Sequence, residues 1–235
     1  MNLFCFPFAG GGKHSYNGYK EYAPADLYLW PLELPGRGAR VAEPLITDIH
    51  LMAEDLWQQL KHQIRSPYAF YGHSMGSLLA YLVVHKIIGA GLTPPRYLFL
   101  TGCKAPSLRE PKENKTHLLP GGEFWKKVVT MDGLPEPVLK DQTFITFFEP
   151  ILRADFQAVE TFTYNPLPPF NIPMMIVTGT EEDISMEEMK AWEQETTASV
   201  VTKQLPGKHF FILKHEREIM QMISRCLKSS VTFYS

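Results

Sequence analysis

The chain has 235 residues, of which 45% are hydrophobic and 20% charged, so neither intrinsic disorder nor a fibrous repeat describes it as a whole. Its 23 basic and 25 acidic residues give a net charge of −2, which lacks the basic field that non-specific nucleic-acid binding requires. The 3 cysteines include no Cys-x-x-Cys pair, which argues against a disulfide framework or a structural zinc site and fits a reducing cytosol.

The N-terminus lacks the pattern of a targeting segment. The apolar run 3–6 is short and no basic residue precedes it, so no signal peptide is predicted. The most apolar helical stretch, 78–88, is interrupted by His85 and Lys86 and falls short of the roughly 20 apolar residues that span a bilayer. We therefore expect a soluble, cytoplasmic protein with no membrane partner, and a monomer by default.

Short apolar runs alternate with longer amphipathic ones. In chain order, the pattern predicts a strand at 3–6 that runs into a glycine loop, a strand at 27–30, a helix at 49–64, a strand at 68–71, a helix at 75–88, strands at 97–100 and 174–177, a helix at 186–194, a strand at 200–205 and a helix at 216–227. Alternation of this kind indicates an α/β fold with a mostly parallel central sheet flanked by helices.

One stretch breaks this alternation. Residues from about 104 to 165 contain no convincing strand and hold several short helical patterns separated by prolines. We predict a helical insertion at about 104–165, between two strands of the sheet, within a single domain that spans 1–235.

The strongest local motif is Gly72-His73-Ser74-Met75-Gly76, between a predicted strand and an apolar-striped helix. It fits the Gly-x-Ser-x-Gly nucleophile elbow, in which a sharp strand-to-helix turn lifts the serine hydroxyl out of the sheet. The residues two before and two after the serine must be small because the turn brings strand and helix close together. The pattern predicts Ser74 as a nucleophile.

A serine nucleophile requires a base, and in elbows of this type the base follows in the order Ser, acid, His. His209 lies in a glycine-containing loop directly after the last predicted strand. The other histidines precede Ser74, lie inside the elbow, or fall on helices or in the insertion. His209 is therefore the predicted base.

The acid comes from the turn after the strand 174–177, because the carboxyl end of a parallel strand faces the same crevice as the elbow. Three carboxylates follow there, Glu181, Glu182 and Asp183. We prefer Asp183 and keep Glu182 as the alternative.

Acyl transfer also needs an oxyanion hole. One donor is expected from the backbone N–H of Met75, which follows the nucleophile. The glycine loop after the first strand supplies the second, through the N–H of Ala9 or, as the next choice, of Phe8. Metal-ligand spacing such as His-Glu-x-x-His is absent from the sequence, so no metal is predicted.

Six motifs stand in a distinctive order over nearly the whole chain. They are Phe6-Pro7-Phe8-Ala9-Gly10-Gly11, Leu34-Pro35-Gly36-Arg37-Gly38, Gly72-His73-Ser74-Met75-Gly76, Leu152-Arg153-Ala154-Asp155-Phe156, the acidic turn followed by Trp192, and Gly207-Lys208-His209-Phe210-Phe211. Together they resemble the type II thioesterases of non-ribosomal peptide and polyketide assembly lines. They are also similar to the medium-chain thioesterase of animal fatty acid synthase.

The resemblance implies an α/β-hydrolase with a mobile helical lid, which removes misprimed or stalled acyl groups from phosphopantetheine arms on carrier-protein domains. It implies no cofactor, since the arm belongs to the substrate. The family's serine and histidine fall on Ser74 and His209. Its acid usually stands three residues after the strand-end glycine, which gives Glu182, whereas alignment on the following Asp-Ile-Ser selects Asp183. The family usually has Gly where this chain has Lys208.

An acyl chain on such an arm needs an apolar channel between lid and core. We expect Phe8, Trp125, Val128 and Phe148 to line it, among a wider set from the insertion. That wider set is Phe124, Val129, Met131, Phe144, Phe147 and Phe156. Arg37 and Arg40 are surface-charge candidates for an acidic carrier protein. Asp155 is expected to pair within the lid base and ranks third as the acid.

Two other functions remain open from the sequence. An esterase or lipase that acts on oxygen esters would use the same triad. A carrier-protein-binding module would keep the fold without the chemistry.

Overall fold

The computed structural model describes residues 1–109, 115–131 and 136–229. Its strands are β1 (Asn2–Phe6), β2 (Tyr28–Pro31), β3 (Tyr68–His73), β4 (Leu98–Thr101), β5 (Met174–Gly179) and β6 (Val200–Leu205). Its α-helices are α1 (Ile49–Leu60), α2 (Met75–Gly89), α3 (Gly121–Thr130), α4 (Gln142–Glu160), α5 (Met186–Lys190) and α6 (Glu216–Ser229). Among the described residues, no helix is long and apolar enough to cross a bilayer.

The strands form one parallel sheet in the order β2-β1-β3-β4-β5-β6. Successive side chains of a strand point to opposite faces, so each strand supplies two cores. Phe4, Phe70 and Ile176 pack with α1 and α2 on one face, whereas Cys5 and Tyr71 pack with α6 on the other. These layers confirm the predicted parallel sheet with helices on both faces.

The predicted elements occur in the predicted order, and the differences are at their ends. The helix predicted at 49–64 ends at Leu60. The helix predicted at 186–194 is α-helical only to Lys190 and continues as the 3₁₀ helix Ala191–Gln194. Within that last turn the indole of Trp192 is fully buried and donates to the carbonyl of Cys103 at 3.1 Å, a tertiary contact that anchors the turn.

The described residues between β4 and β5 are helical or irregular. They comprise α3, α4 and the 3₁₀ helices Pro106–Leu108, Thr116–Leu118 and Glu136–Lys140. The aromatic and aliphatic side chains of α3 and α4 form a small hydrophobic cluster separate from the two sheet cores. The predicted insertion at 104–165 also contains 110–114 and 132–135, which lie outside the described residues.

The tightest connection of the fold joins β3 to α2 at the elbow. Ser74 has φ 54° and ψ −116°, the one positive φ of a non-glycine residue in the part of the chain that the structure describes. A Cβ on Gly72 would lie 2.3 Å from the carbonyl oxygen of Gly76, and a Cβ on Gly76 would lie 2.5 Å from that of Phe6. Both glycines are therefore required for helix and strands to approach this closely.

We predict that Gly76→Ala lowers the free energy of unfolding by about 1–3 kcal/mol, because the backbone of β1 cannot yield to a methyl group. Gly89→Ala, in the same helix with nothing within 4 Å of its Cβ position, is the control and is expected to be neutral or to stabilise the protein. Urea unfolding of both variants checks this. Equal stabilities would show that the elbow has room for a side chain.

Candidate active site

Three side chains from three separate loops meet at the carboxyl end of the sheet. The Oγ of Ser74 lies 2.9 Å from Nε2 of His209, and Nδ1 of the same imidazole lies 2.6 Å from Oε1 of Glu182. A carboxylate only accepts, so Nδ1 carries the proton and Nε2 is free to accept the serine hydroxyl. The arrangement is that of a serine nucleophile with its base and orienting acid.

The acid in contact with His209 is Glu182, so the preference for Asp183 was wrong in geometry. Glu182 closes a turn, with its N–H bonded to the carbonyl of Gly179 at 3.2 Å and its Oε2 accepting the Gly179 N–H at 2.7 Å. Its side chain is only 5% exposed. Asp183 stands one residue further along, beyond the turn, and its side chain is exposed. Glu181 is exposed as well.

The acid loop and the base loop are bonded to one another through their backbones. The N–H groups of Thr180 and Glu181 donate to the carbonyls of Leu205 and Gly207, at 2.8 and 3.0 Å. A Cβ on Gly179 would lie 2.3 Å from the Gly207 oxygen, so only glycine allows the loops to lie this close. The spacing between Glu182 and His209 is therefore set by main-chain contacts.

The imidazole of a second histidine, His73, lies against that of His209. The ring of His73 is fully buried, with its centroid 4.7 Å from that of His209 and its Nδ1 3.0 Å from the hydroxyl of Thr101. Burial, with the charge of His209 as a smaller cause, lowers the pKa of His73 well below its usual value. His73 is therefore neutral and places no positive charge beside His209.

The predicted oxyanion donors face the same space as the serine. Ala9 and Met75 both line the cavity that contains Ser74. Within the described residues, neither of their amides donates a hydrogen bond to the protein. Met75 is the first residue of α2, so the positive end of the helix dipole lies at the nucleophile. Phe8, the second choice as a donor, also lines the cavity.

Asp155 binds Arg37 and Gly10 rather than His209. Its carboxylate is fully buried and binds the guanidinium of Arg37 through two contacts of 2.7 Å. It also accepts the N–H of Gly10 at 2.7 Å. The expectation that Arg37 is a surface charge was therefore wrong, since it is 5% exposed. Arg40 is only partly buried, and its guanidinium is bound by Glu43 and Asp55.

A cavity of about 1330 Å³ opens at Ser74, between the sheet edge and the insertion. Of the predicted channel residues, Phe8, Val128 and Phe148 line it. Met131, Phe144 and Phe156 of the wider set also line it, joined by Leu152, which the sequence analysis did not assign to the channel. Their shared apolar character suits a hydrocarbon chain.

Trp125 does not line this cavity, contrary to prediction. Its indole N–H donates to Glu149 at 2.6 Å and its ring is 6% exposed, packed against Phe124 and Phe144. It therefore holds α3 on α4. Three residues of the wider predicted set also lie away from the cavity, namely Phe124, Val129 and Phe147.

In the described part of the chain, no group of three or more His, Cys, Asp or Glu side chains is arranged to hold a metal ion. The groups that meet at the cavity beside Ser74 are its hydroxyl, the imidazole of His209, the carboxylate of Glu182 and the amides of Met75 and Ala9.

Comparison with known proteins identifies the family and the relatives of this chain. The family model of the thioesterase domain matches residues 1–227. The protein named linear gramicidin dehydrogenase LgrE, of Brevibacillus parabrevis, is 32% identical, over 99% of this chain and 89% of its own. The crystal structure of ClbQ from the colibactin NRPS/PKS pathway superposes with a TM-score of 0.92, at 29% identity and 98% coverage of both chains. The type II thioesterase BorB from the borrelidin cluster gives 0.87, at 29% identity over 95% of this chain and 91% of its own.

We predict that a fluorophosphonate probe labels Ser74, and that Glu182→Gln slows labelling on the order of 10³-fold, because the neutral amide can donate to Nδ1 and so favour the wrong tautomer of His209, and cannot stabilise its protonated form. Asp183→Asn, one residue away and exposed, is the matched control. Labelling rates followed by mass spectrometry at neutral pH compare the two. A slower Asp183 variant than Glu182 variant would contradict the assignment.

Proposed function

This chain belongs to the thioesterase family, and from that premise we propose that it hydrolyses acyl thioesters carried on the phosphopantetheine arms of carrier proteins. The observation that carries the proposal is the contact of Ser74 with a His209–Glu182 pair, beside a large cavity that many apolar side chains line. The names of ClbQ and BorB place those relatives in assembly-line biosynthesis. By that likeness the role is to clear misprimed or stalled carrier domains.

We assign the steps as follows. His209 takes the proton of Ser74 as its Oγ attacks the thioester carbonyl, and Glu182 stabilises the resulting imidazolium. The amides of Met75 and Ala9 bind the oxyanion. Collapse expels the thiol of the arm, which takes the proton from His209 and leaves Ser74 acylated. Water, activated by the same histidine, then releases the acid.

The protein partner in this scheme is a carrier domain, and the phosphopantetheine is part of the substrate, so no cofactor of the enzyme's own is involved. All three cysteines, Cys5, Cys103 and Cys226, are free, which supports a reducing cytoplasmic location. The buried Arg37 leaves carrier recognition to other residues. A monomeric enzyme fits this scheme.

Three other functions are alternatives to thioester hydrolysis. An oxygen-ester esterase would share every group of the site, and a carrier-binding module would share the fold alone. Reductive chemistry is suggested by the name of the LgrE relative. In the Rossmann fold, a dinucleotide binds at a long helix that starts directly after the first strand. In this chain, β1 is followed by a turn and the short 3₁₀ helix Gly18–Tyr22, and this difference disfavours a dinucleotide-dependent reduction.

The test is single-turnover release of acyl groups from a loaded carrier protein, beside matched oxygen esters, with Ser74→Ala as the control. We expect rapid loss of the thioester that the Ser74 variant abolishes. Equal or faster hydrolysis of the oxygen esters would favour the esterase. No release above the Ser74 control, with carrier binding retained, would identify a binding module.

We also predict that Phe148→Ala raises KM for a medium-chain acyl thioester about tenfold, roughly 1.4 kcal/mol of lost apolar contact, with a smaller change in kcat. Phe148 lines the cavity, whereas its neighbour Phe147 is 45% exposed and does not. Phe147→Ala is therefore the matched control. Steady-state kinetics over a series of chain lengths tests this, and equal KM values for the two variants would place the acyl chain elsewhere.

A further inference from the structure

The Ala9 amide is presented by a tight turn. The N–H of Gly11 donates to the carbonyl of Phe8 at 2.7 Å, which closes a four-residue turn with Ala9 and Gly10 at its centre. Gly10 has φ +75°, the value that a type II turn requires at its third position. The Phe8 carbonyl and the Ala9 N–H share one planar trans peptide and point in opposite directions. Fixing that carbonyl toward Gly11 therefore aims the Ala9 N–H away from the turn.

The turn is held from outside by helix α4 and by Arg37. Asp155 accepts the Gly10 N–H at 2.7 Å and binds both terminal nitrogens of Arg37, also at 2.7 Å. Arg37 in turn donates to the carbonyl of Gly11 at 3.2 Å. The Ala9–Gly10 and Gly11–Gly12 peptide groups thus each have a charged partner.

These contacts select one conformation of the turn. A type I turn over the same residues needs a negative φ at Gly10, and its central peptide then faces the other way. The Gly10 N–H would leave Asp155, whose buried carboxylate would lose a charge-assisted hydrogen bond. Gly10 also packs against Leu152 of α4, where a Cβ would lie 2.7 Å from the side chain.

We propose that Asp155 is a positioning residue for the oxyanion hole. Through the Gly10 N–H it anchors to α4 the turn whose Phe8–Gly11 hydrogen bond aims the Ala9 N–H, so that this N–H is held at a fixed place beside Ser74, and Arg37 holds the Asp155 carboxylate in line. The proposal rests on the proposed function in one respect, which is that Ala9 supplies an oxyanion donor.

A purely structural ion pair would behave differently. Replacing a buried ion pair by apolar groups of similar volume is often neutral for stability, whereas removing one partner strands a buried charge. A useful test therefore removes both charges together and varies only the acceptor that faces Gly10.

The matched variants are Arg37→Met/Asp155→Asn and Arg37→Met/Asp155→Leu. Both lack the ion pair and have side chains of similar shape, but only Asn offers an oxygen to the Gly10 N–H. We expect kcat of the Leu variant to be about 10–100-fold below that of the Asn variant, less than the loss of a whole oxyanion donor. KM should differ by less than about threefold, because the donor acts in the transition state.

Equal kcat values in two variants that unfold at the same temperature would show that Asp155 serves stability alone and would overturn the proposal. The rate of fluorophosphonate labelling at Ser74 is measured in parallel, because the phosphonyl oxygen also enters the oxyanion hole. If the unmodified protein is labelled but releases no acyl group from carriers, the proposed function fails while the two labelling rates still test Asp155.

If the Leu variant does not fold, hydrogen exchange of the unmodified protein decides. We expect slow exchange and a downfield NMR shift for the Gly10 amide, as a short bond to a carboxylate requires. A Gly10 amide that exchanges as fast as an open loop would overturn the proposal.

Discussion

The close approach of backbones at the carboxyl edge of the sheet is the constraint on which the site depends. Gly72 lets β3 approach α2, and Gly76 lets α2 approach β1. Gly179 lets the loop of Glu182 approach the loop of His209, and Gly102 allows the rings of His73 and His209 to lie against its backbone. At each position a Cβ would fall within 2.5 Å of a neighbouring atom. The triad distances are a consequence of this main-chain packing.

The insertion contributes to the site in two ways. Its helices α3 and α4 supply a large part of the apolar wall of the cavity, and α4 also supplies Asp155 to the loop that carries Ala9. The sheet therefore positions Ser74, His209 and Glu182, whereas the loop that carries Ala9, the proposed second oxyanion donor, is bonded to a helix that is inserted between β4 and β5. In the proposed mechanism, substrate binding and transition-state stabilisation therefore both involve that one helix.

The sequence predicted the elements that have a strong local pattern. A steric or periodic requirement explains the apolar strands, the helix α2 and the small residues around Ser74. The family resemblance is confirmed by the family match over 1–227. The choice between Glu182 and Asp183 did not follow, because it depends on a turn in which the Glu182 side chain folds back onto Gly179. The strand-end spacing was the signal that pointed to the right residue.

Ion pairs between residues far apart in the chain could not be predicted from the sequence either. Arg37 and Asp155 are separated by 118 residues, and nothing local shows that both are buried. Trp125 lies in the predicted lid, but the periodicity of a short amphipathic helix does not show which of its apolar side chains face α4 and which face the cavity. The hydrogen bond of the Trp125 indole to Glu149 shows that this side chain faces α4.

The double use of α4 has a consequence for how this enzyme can diversify. Leu152 and Phe156, which shape the cavity, flank Asp155 on either side in the sequence, so a change of volume at these positions also moves the carboxylate that holds Gly10. Val128 of α3 and Met131 beside it line the same cavity from a helix with no such bond. A preference for a new acyl-chain length can therefore evolve through substitutions on α3 with less loss of turnover than through substitutions on α4. We expect the sequence of α4 to diverge more slowly among descendants of this protein.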